Sequence, residues 1–400
     1  MNFGCQMNVL HPALVAARVA QDPLSACLAP SPLERAMRLK GDMRMGLPVL
    51  VTHDGQACLV VAVETLSPER HDAIIASGAG AGLVLTTRRA AALGIADSAA
   101  MKADTLVLAV PQQAGLDWLL AMADPSRPSL RDAAPLSGGH AERAFPGNAI
   151  HKAGVALAKA AQLVPAVLVM PLASGPSNDV LTRADTDGLS SMAAQDILGE
   201  LSKERVQYPV SSARLPMAVH DRGRVHVFRP DDGGIEHYAI EIGTPDPGGP
   251  VLVRLHSACF TGDVLGSLKC DCGPQLQAAA TAMADAGGGV LLYLNQEGRG
   301  IGLANKMRAY DLQDQGFDTV EANHHLGFQD DERDFRIGAA LLSRLGIESV
   351  RLLTNNPAKV AILEKQGIAV TERVPLVVGK TPQNAAYLAT KAAKSGHLFK

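Results

Sequence analysis

Helix-length segments closed by glycine alternate with short apolar runs through most of this chain, which restricts it to layered α/β architectures. In the first half, Leu33–Met45 reads as a helix ended by Gly46, ahead of a strand over Pro48–Thr52. Cys58–Val63 is a second strand, Pro68–Gly78 a helix and Ala81–Leu85 a buried strand. The alanine-rich stretch Asn148–Leu163 is long enough for a helix and leads into a strand over Ala166–Met170.

The second half opens on strands instead. Val225–Arg229, His237–Ile242 and Val251–His256 are separated by glycine- and proline-rich turns. Gln275–Ala286 is then a helix, Val290–Leu294 a short buried strand and Leu303–Gln315 a helix closed by Gly316. Arg336–Leu345 and Asn356–Gly367 are further helices around a strand at Val350–Leu353. Composition separates the halves too: Phe3, Trp118 and Phe145 are the aromatics of residues 1–200, and the other eleven lie beyond. At roughly 150 residues per domain, 400 residues hold two or three. The expected division is an N-terminal extension over 1–32, one unit over 33–205 and a second over 206–400. The fold class expected is α/β (α+β), a layered N-terminal unit followed by one that opens with antiparallel strands.

Charge excludes some partners. Lys and Arg total 37 against 40 Asp and Glu, a net charge of −3. So balanced a chain offers no general surface for nucleic acid or membrane. Its most apolar stretch, Val155–Leu172, is interrupted by Lys159, Gln162, Pro165 and Pro171, so no membrane span is expected. No basic leader followed by an apolar run opens the chain, so it is read as cytoplasmic, with its six cysteines reduced.

Three of those cysteines, Cys259, Cys270 and Cys272, have a C-x10-C-x-C spacing. Three thiolates can hold Zn²⁺ and leave a fourth tetrahedral position for water, which would ionise near neutral pH. His256 is the nearby candidate for a fourth ligand, and three unrelated buried cysteines are the plain alternative. Gln296–Gly302 joins a strand to a helix with a G-x-G-x-G pattern, which is not the dinucleotide fingerprint. With Arg299 it suits phosphate oxygens; it also suits a tight turn. Lys306 and Arg308 read as a solvated helix face and Asp330–Asp334 as a solvated turn; Thr354 is able to bond a ligand, with Lys359 near the first helical turn, and the plain alternative there is an N-cap and an ordinary surface lysine.

Taken together, these segments resemble GTP cyclohydrolase II. The matching stretches include Arg254–Cys259, Thr261–Asp263, Ser267–Gly273, Gln296–Arg299, Leu312–Gly316, Asp318–Asn323, Leu352–Pro357 and Arg373–Leu376, so the resemblance runs from about Ala213 onward. It implies catalytic Zn²⁺ on Cys259, Cys270 and Cys272, and Mg²⁺ with the triphosphate. It implies GTP contacts at Arg254, Gln275, Glu297, Arg299, Thr319, Thr354 and Lys359, with Tyr310 near the base. Asp331 falls at the family's proton acceptor and Arg333 at its proposed nucleophile toward the α-phosphorus. A permanently protonated guanidinium fits charge stabilisation better. Glu297 is a chemical match for the guanine N1–H and 2-amino group. A homodimer is implied as well.

Two departures stand out. Ala258 replaces a Glu of the family and Asn295 replaces an Arg, both expected beside the site. Residues 33–200 resemble dihydroxybutanone-phosphate synthase, through Pro48–Thr52, Glu64–Glu69 and Gly82–Thr86. The family's acidic Mg²⁺-binding run is reduced here to Asp54, and of its Gly-His-Thr-Glu only His151 remains. Without clustered carboxylates this unit is expected to lack synthase activity.

Overall fold

The computed structural model describes residues 27–95, 102–127, 144–172 and 187–394, together with Gly396 and Leu398. Most of the expected N-terminal extension lies outside the described residues. Two seven-stranded sheets organise the described residues. The first contains β1 (Val49–His53), β2 (Gln56–Ala62), β3 (Gly82–Thr86), β4 (Thr105–Ala109), β5 (Ala144–Pro146), β6 (Ala166–Pro171) and β7 (Ser191–Ala193). Their spatial order is β5-β4-β3-β6-β2-β1-β7. Every pair is antiparallel except β1 with β7 at the edge.

Alternation within these strands feeds two cores. Val84 of β3 faces one, while Leu83 and Leu85 face the other. Helices Pro32–Arg44, Ala149–Ala160 and Ala194–Ser202 cover the first face through Leu39, Ile150 and Ile197. Helix Leu116–Ala123 covers the second through Leu119 and Met122. Local signals set the helix starts. Ser31 and Glu34 form a capping box ahead of Pro32, and Asn148 forms one with His151. His151 therefore completes the capping box of Asn148, and Asp54 sits at φ 47° in the tight β1–β2 turn.

The second sheet contains β8 (Gln207–Arg214), β9 (Gly223–Pro230), β10 (His237–Gly243), β11 (Val251–Ser257), β12 (Gly288–Leu294), β13 (Ser349–Leu353) and β14 (Ala369–Val374). Its order is β14-β13-β11-β12-β10-β9-β8. The side from β8 to β12 is antiparallel. The side from β12 through β11 and β13 to β14 is parallel. Helices Arg336–Arg344 and Pro357–Lys365 pack on one face through Leu341, Leu342 and Leu363. Helix Cys272–Asp285 covers the other through Ala279 and Met283. No helix among the described residues is long and apolar enough to cross a membrane.

Candidate active site

Parallel strands deliver their C-terminal ends to one edge of a sheet, and the loops that leave them line a crevice there. Here β11 carries Arg254 and leads to Cys259, β12 leads to Glu297 and Arg299, and β13 leads to Thr354. The result is one cavity whose wall includes Arg254, Cys259, Cys270, Cys272, Gln275, Glu297, Arg299, Tyr310, Thr319, Arg333, Thr354 and Lys359. Of the metal, substrate and catalytic residues that the resemblance implies, Asp331 alone is not in this wall; it is bonded to Arg333, which is.

Cys259 and Cys270 are buried, and with Cys272 their sulfurs lie within 4.8 Å of one another. Cys259 Sγ and Cys270 Sγ are 3.7 Å apart. Gly262 is required between them, since a Cβ there would lie 2.7 Å from Cys270 Sγ. Hydrogen bonds from Cys270 and Cys272, and then Lys306, hold the Cys259 thiol far below its usual range; Cys270, bonded to it, is pushed up. Among the described residues this trio is the group of His, Cys, Asp or Glu able to hold a metal ion, and the donor set fits one with a tetrahedral position left over. His256 does not join it. Its Nε2 bonds the Asp263 carboxylate at 3.0 Å, and its buried Nδ1 has no hydrogen-bond partner.

Lys306 corrects the expectation of a solvated helix face. It is buried, and its Nζ reaches Cys259 Sγ at 3.1 Å, Thr261 Oγ1 at 2.8 Å and Glu297 Oε1 at 2.9 Å. Burial pushes its ammonium down, but the Glu297 carboxylate, with Tyr310 and Cys259, pushes it further up, so the charge is retained. Arg308 is not solvated either: it bonds Glu64 and Asp124 of the first unit. The helix pattern hid both because their partners are far away in sequence. Glu297 is more occupied than its sequence role required, since Phe260 N donates to Oε2 at 2.6 Å and Gly298 N to Oε1 at 2.8 Å. A bidentate clamp on a guanine edge is therefore not preformed.

The glycine loop is a left-handed run. Gly298, Arg299, Gly300 and Gly302 have φ of 64°, 61°, 93° and 86°. Arg299 alone among them carries a side chain in that region, a strained state of the kind that clusters at functional sites. Its Nη1 donates to Asp330 O at 3.1 Å. Arg333 grips Asp331 with two parallel bonds, Nε to Oδ1 at 2.8 Å and Nη2 to Oδ2 at 2.5 Å, and donates to Ser257 Oγ. Burial opposes charge on Arg333, but the Asp331 bonds outweigh it and raise its pKa. The Asp330–Asp334 run is thus tied to the cavity and is more than a solvated turn.

The remaining candidates are anchored by the sheet. Arg254 is buried, its Nη2 donates to Gln275 Oε1, and burial lowers its pKa to about 10. Lys359 is no surface lysine: it is buried and donates to Leu255 O at 2.8 Å. Asn356, not Thr354, caps the following helix, while Thr354 Oγ1 accepts from Asn356 N. Thr319 opens the helix Thr319–His325. Ala258 lies in the cavity wall. Asn295 does not: it bonds Glu236 O and faces a separate cavity lined by Lys40, Arg44 and Arg205. That departure therefore does not alter the wall. Tyr387, from the helix Ala385–Lys394, also lines the site, with its ring 5.9 Å from the Arg299 guanidinium. A lone tyrosine far from the other motifs gave no sequence signal.

The family described as GTP cyclohydrolase II matches residues 208–375. A GTP cyclohydrolase-2 from Azospirillum brasilense is 41% identical over 365 residues, covering 90% of this chain and 93% of that protein. The chain belongs to the GTP cyclohydrolase II family. It is accordingly an enzyme, a hydrolase by family. The family match falls on the second sheet's unit. A GTP cyclohydrolase-2 from Azotobacter vinelandii is 61% identical over 175 residues, 44% of this chain and 84% of its own length. Among solved structures, a two-domain 3,4-dihydroxy-2-butanone 4-phosphate synthase from A. baumannii aligns over 80% of this chain and 93% of its own, with 17% identity and a TM-score of 0.31. A likeness that slight carries nothing about activity.

Proposed function

We propose that residues 206–400 form a zinc-dependent GTP cyclohydrolase II. It would convert GTP to 2,5-diamino-6-(5-phosphoribosylamino)pyrimidin-4(3H)-one, formate and pyrophosphate, the first step toward riboflavin. The observation that carries this reading is the thiolate trio opening into the same cavity as Arg254, Arg299, Arg333 and Lys359. A site for a purine triphosphate needs that pairing of an ion able to activate water with fixed cations for phosphate.

Cys259, Cys270 and Cys272 would hold the ion. When bound, zinc supplies a Lewis acid that makes water nucleophilic near neutral pH. The chain's own residues do the rest. Arg299, Arg333 and Lys359 offer fixed positive charge to the phosphates, where charge builds as pyrophosphate leaves. Arg333, held by Asp331 and kept protonated, acts through that charge and does not attack phosphorus. Glu297, braced by Lys306, stands where a guanine edge would compete for its oxygens. Tyr310 offers a ring to the base. Mg²⁺ would enter with the triphosphate; cytoplasmic residence and a homodimer belong to the same proposal.

Incubating the purified protein with GTP and Mg²⁺, and measuring formate with zinc on the same sample, tests it. Formate release is expected; none from fully zinc-loaded protein would reject the reading. Ala258 favours a second reading, a protein that binds GTP without turnover, because a carboxylate beside the metal is missing. In that case Ala258→Glu would create activity where the native chain has none. We further propose that residues 33–205 make no dihydroxybutanone phosphate. Asp54, the one acid of the expected metal run, sits exposed in a tight turn and, among the described residues, joins no group of side chains able to hold a metal ion. A four-carbon product from ribulose 5-phosphate would overturn that.

A further inference from the structure

The first unit touches the second at several points, Arg88 on Gln329 and His324 and Arg89 on His325 among them, and three others hold segments that build the cavity. Lys159, from the helix Ala149–Ala160, places its Nζ 2.6 Å from Glu332 Oε1, with both side chains about a quarter exposed at 23%. Glu332 stands between Asp331 and Arg333. Its N–H donates to Arg299 O at 3.0 Å, and its carbonyl passes so near Gly300 that a Cβ there would lie 2.7 Å away. The Lys159 ammonium therefore grips the residue that joins the Asp331–Arg333 loop to the glycine loop.

The second point is Gln162, which follows that same helix at φ 58°. Its carbonyl accepts from Asn305 Nδ2 at 3.0 Å, and its side chain leaves no room for a Cβ at Gly302 without contact at 3.0 Å. Asn305 is fully buried. The third is Arg308, which bonds Asp124 Oδ2 at 2.9 Å and Glu64 Oε1 at 2.8 Å. Asn305 and Arg308 lie on the helix Leu303–Asp314, whose other face presents Lys306 and Tyr310 to the cavity. One side of this helix is docked on the first unit while the other side forms the site.

We infer that the first unit is a positioning element for the cyclohydrolase site, with Lys159 as its principal positioning residue, acting through Glu332. The inference rests on the reading of the cavity as a GTP cyclohydrolase site. Residues brought to a reacting centre must be held closely, and a misplacement of about 1 Å can cost on the order of a hundredfold in rate. A salt bridge of modest worth for stability can still set where a loop sits.

The test uses the full-length, zinc-loaded chain with Lys159→Met, Lys159→Arg and the exchange Lys159→Glu with Glu332→Lys. Lys159→Met is expected to lower kcat for formate release about tenfold while KM stays within about twofold. Lys159→Arg and the exchanged pair are expected to recover most of that loss. Amide exchange in residues 296–302 and 329–334 should rise in Lys159→Met and not in Lys159→Arg. A merely structural role would lower Tm and leave kcat of the folded enzyme unchanged. Unchanged kcat and unchanged exchange in Lys159→Met, beside an active native chain, would overturn the inference and spare the functional reading. If the native chain releases no formate, the functional reading fails and the exchange result decides the positioning role alone.

Discussion

Among the described residues the two sheets have the same number of strands, yet one edge of the second became a site. In the first, every neighbouring pair but β1 with β7 is antiparallel, so the C-terminal ends of adjacent strands point to opposite edges and any chemistry they carry is dispersed. In the second, β12, β11 and β13 run parallel, so three connections leave from one edge and meet. Convergence of strand ends, more than the richness of the local sequence, makes a place where thiolates and guanidinia can face one ligand. The two units should therefore respond to substitution in opposite ways: the second loses chemistry, and the first loses stability or alignment.

The largest expected effect is at the trio. Cys270→Ser replaces a thiolate ligand with a poor one, so bound zinc should fall well below one per chain and formate release should drop by about a thousandfold or more. Metal analysis beside the formate assay checks both. Retained turnover in a zinc-free variant would remove the metal from the mechanism. Lys306→Met comes next. It deletes a buried cation and leaves Glu297 and Cys259 facing each other without it. Removing one partner of a buried charged pair is costly, and a fall in kcat/KM of about a hundredfold is expected. A variant with native kinetics would return Lys306 to a purely structural role.

Lys306 also marks where sequence reading stops. The helix Leu303–Asp314 is visible from its composition and from Gly316, ending within one residue of expectation. The same holds for β11, β12 and the helix Arg336–Arg344, because apolar period and glycine punctuation are local properties. Which face of a helix is buried depends on what packs against it. The partners of Arg308, Glu64 and Asp124, lie 244 and 184 residues away, and nothing near Arg308 announces them. The trio was legible because all three thiols fall within a short span with a ligand-like spacing. The Asn295 side chain was not, because the turn after β12 decides which cavity it faces.

A pH scan sharpens the contrast between site and support. His237, in β10, is buried; its Nδ1 accepts from Asn295 N at 3.0 Å, and burial pushes its pKa down to about 4. The unfolded chain takes up that proton near pH 6.5, so stability should decline as pH falls from about 6.5 toward about 4 and level off below, by on the order of 3 kcal/mol in all. Denaturant midpoints for the native chain and His237→Gln should diverge over that window, with the variant less pH-sensitive. Parallel curves would show that His237 titrates normally.

The smallest effect on activity is expected from a substitution in the first unit's core, away from the three docking points. Gly154 faces Val60 and Val167, where an added Cβ would lie 2.8 Å from Val60 Cγ1 and 3.1 Å from Val167 Cγ2. Gly154→Ala should therefore strain the packing of the helix Ala149–Ala160 on β2 and β6 and cost about 1–3 kcal/mol of stability. Because this helix also carries Lys159, the measurement separates two ways in which the first unit can matter. If only the placement of Lys159 counts, kcat at low temperature stays native in Gly154→Ala while Tm falls. If kcat falls in step with Tm, the unit contributes through overall rigidity, and the salt bridge to Glu332 is one contact among many.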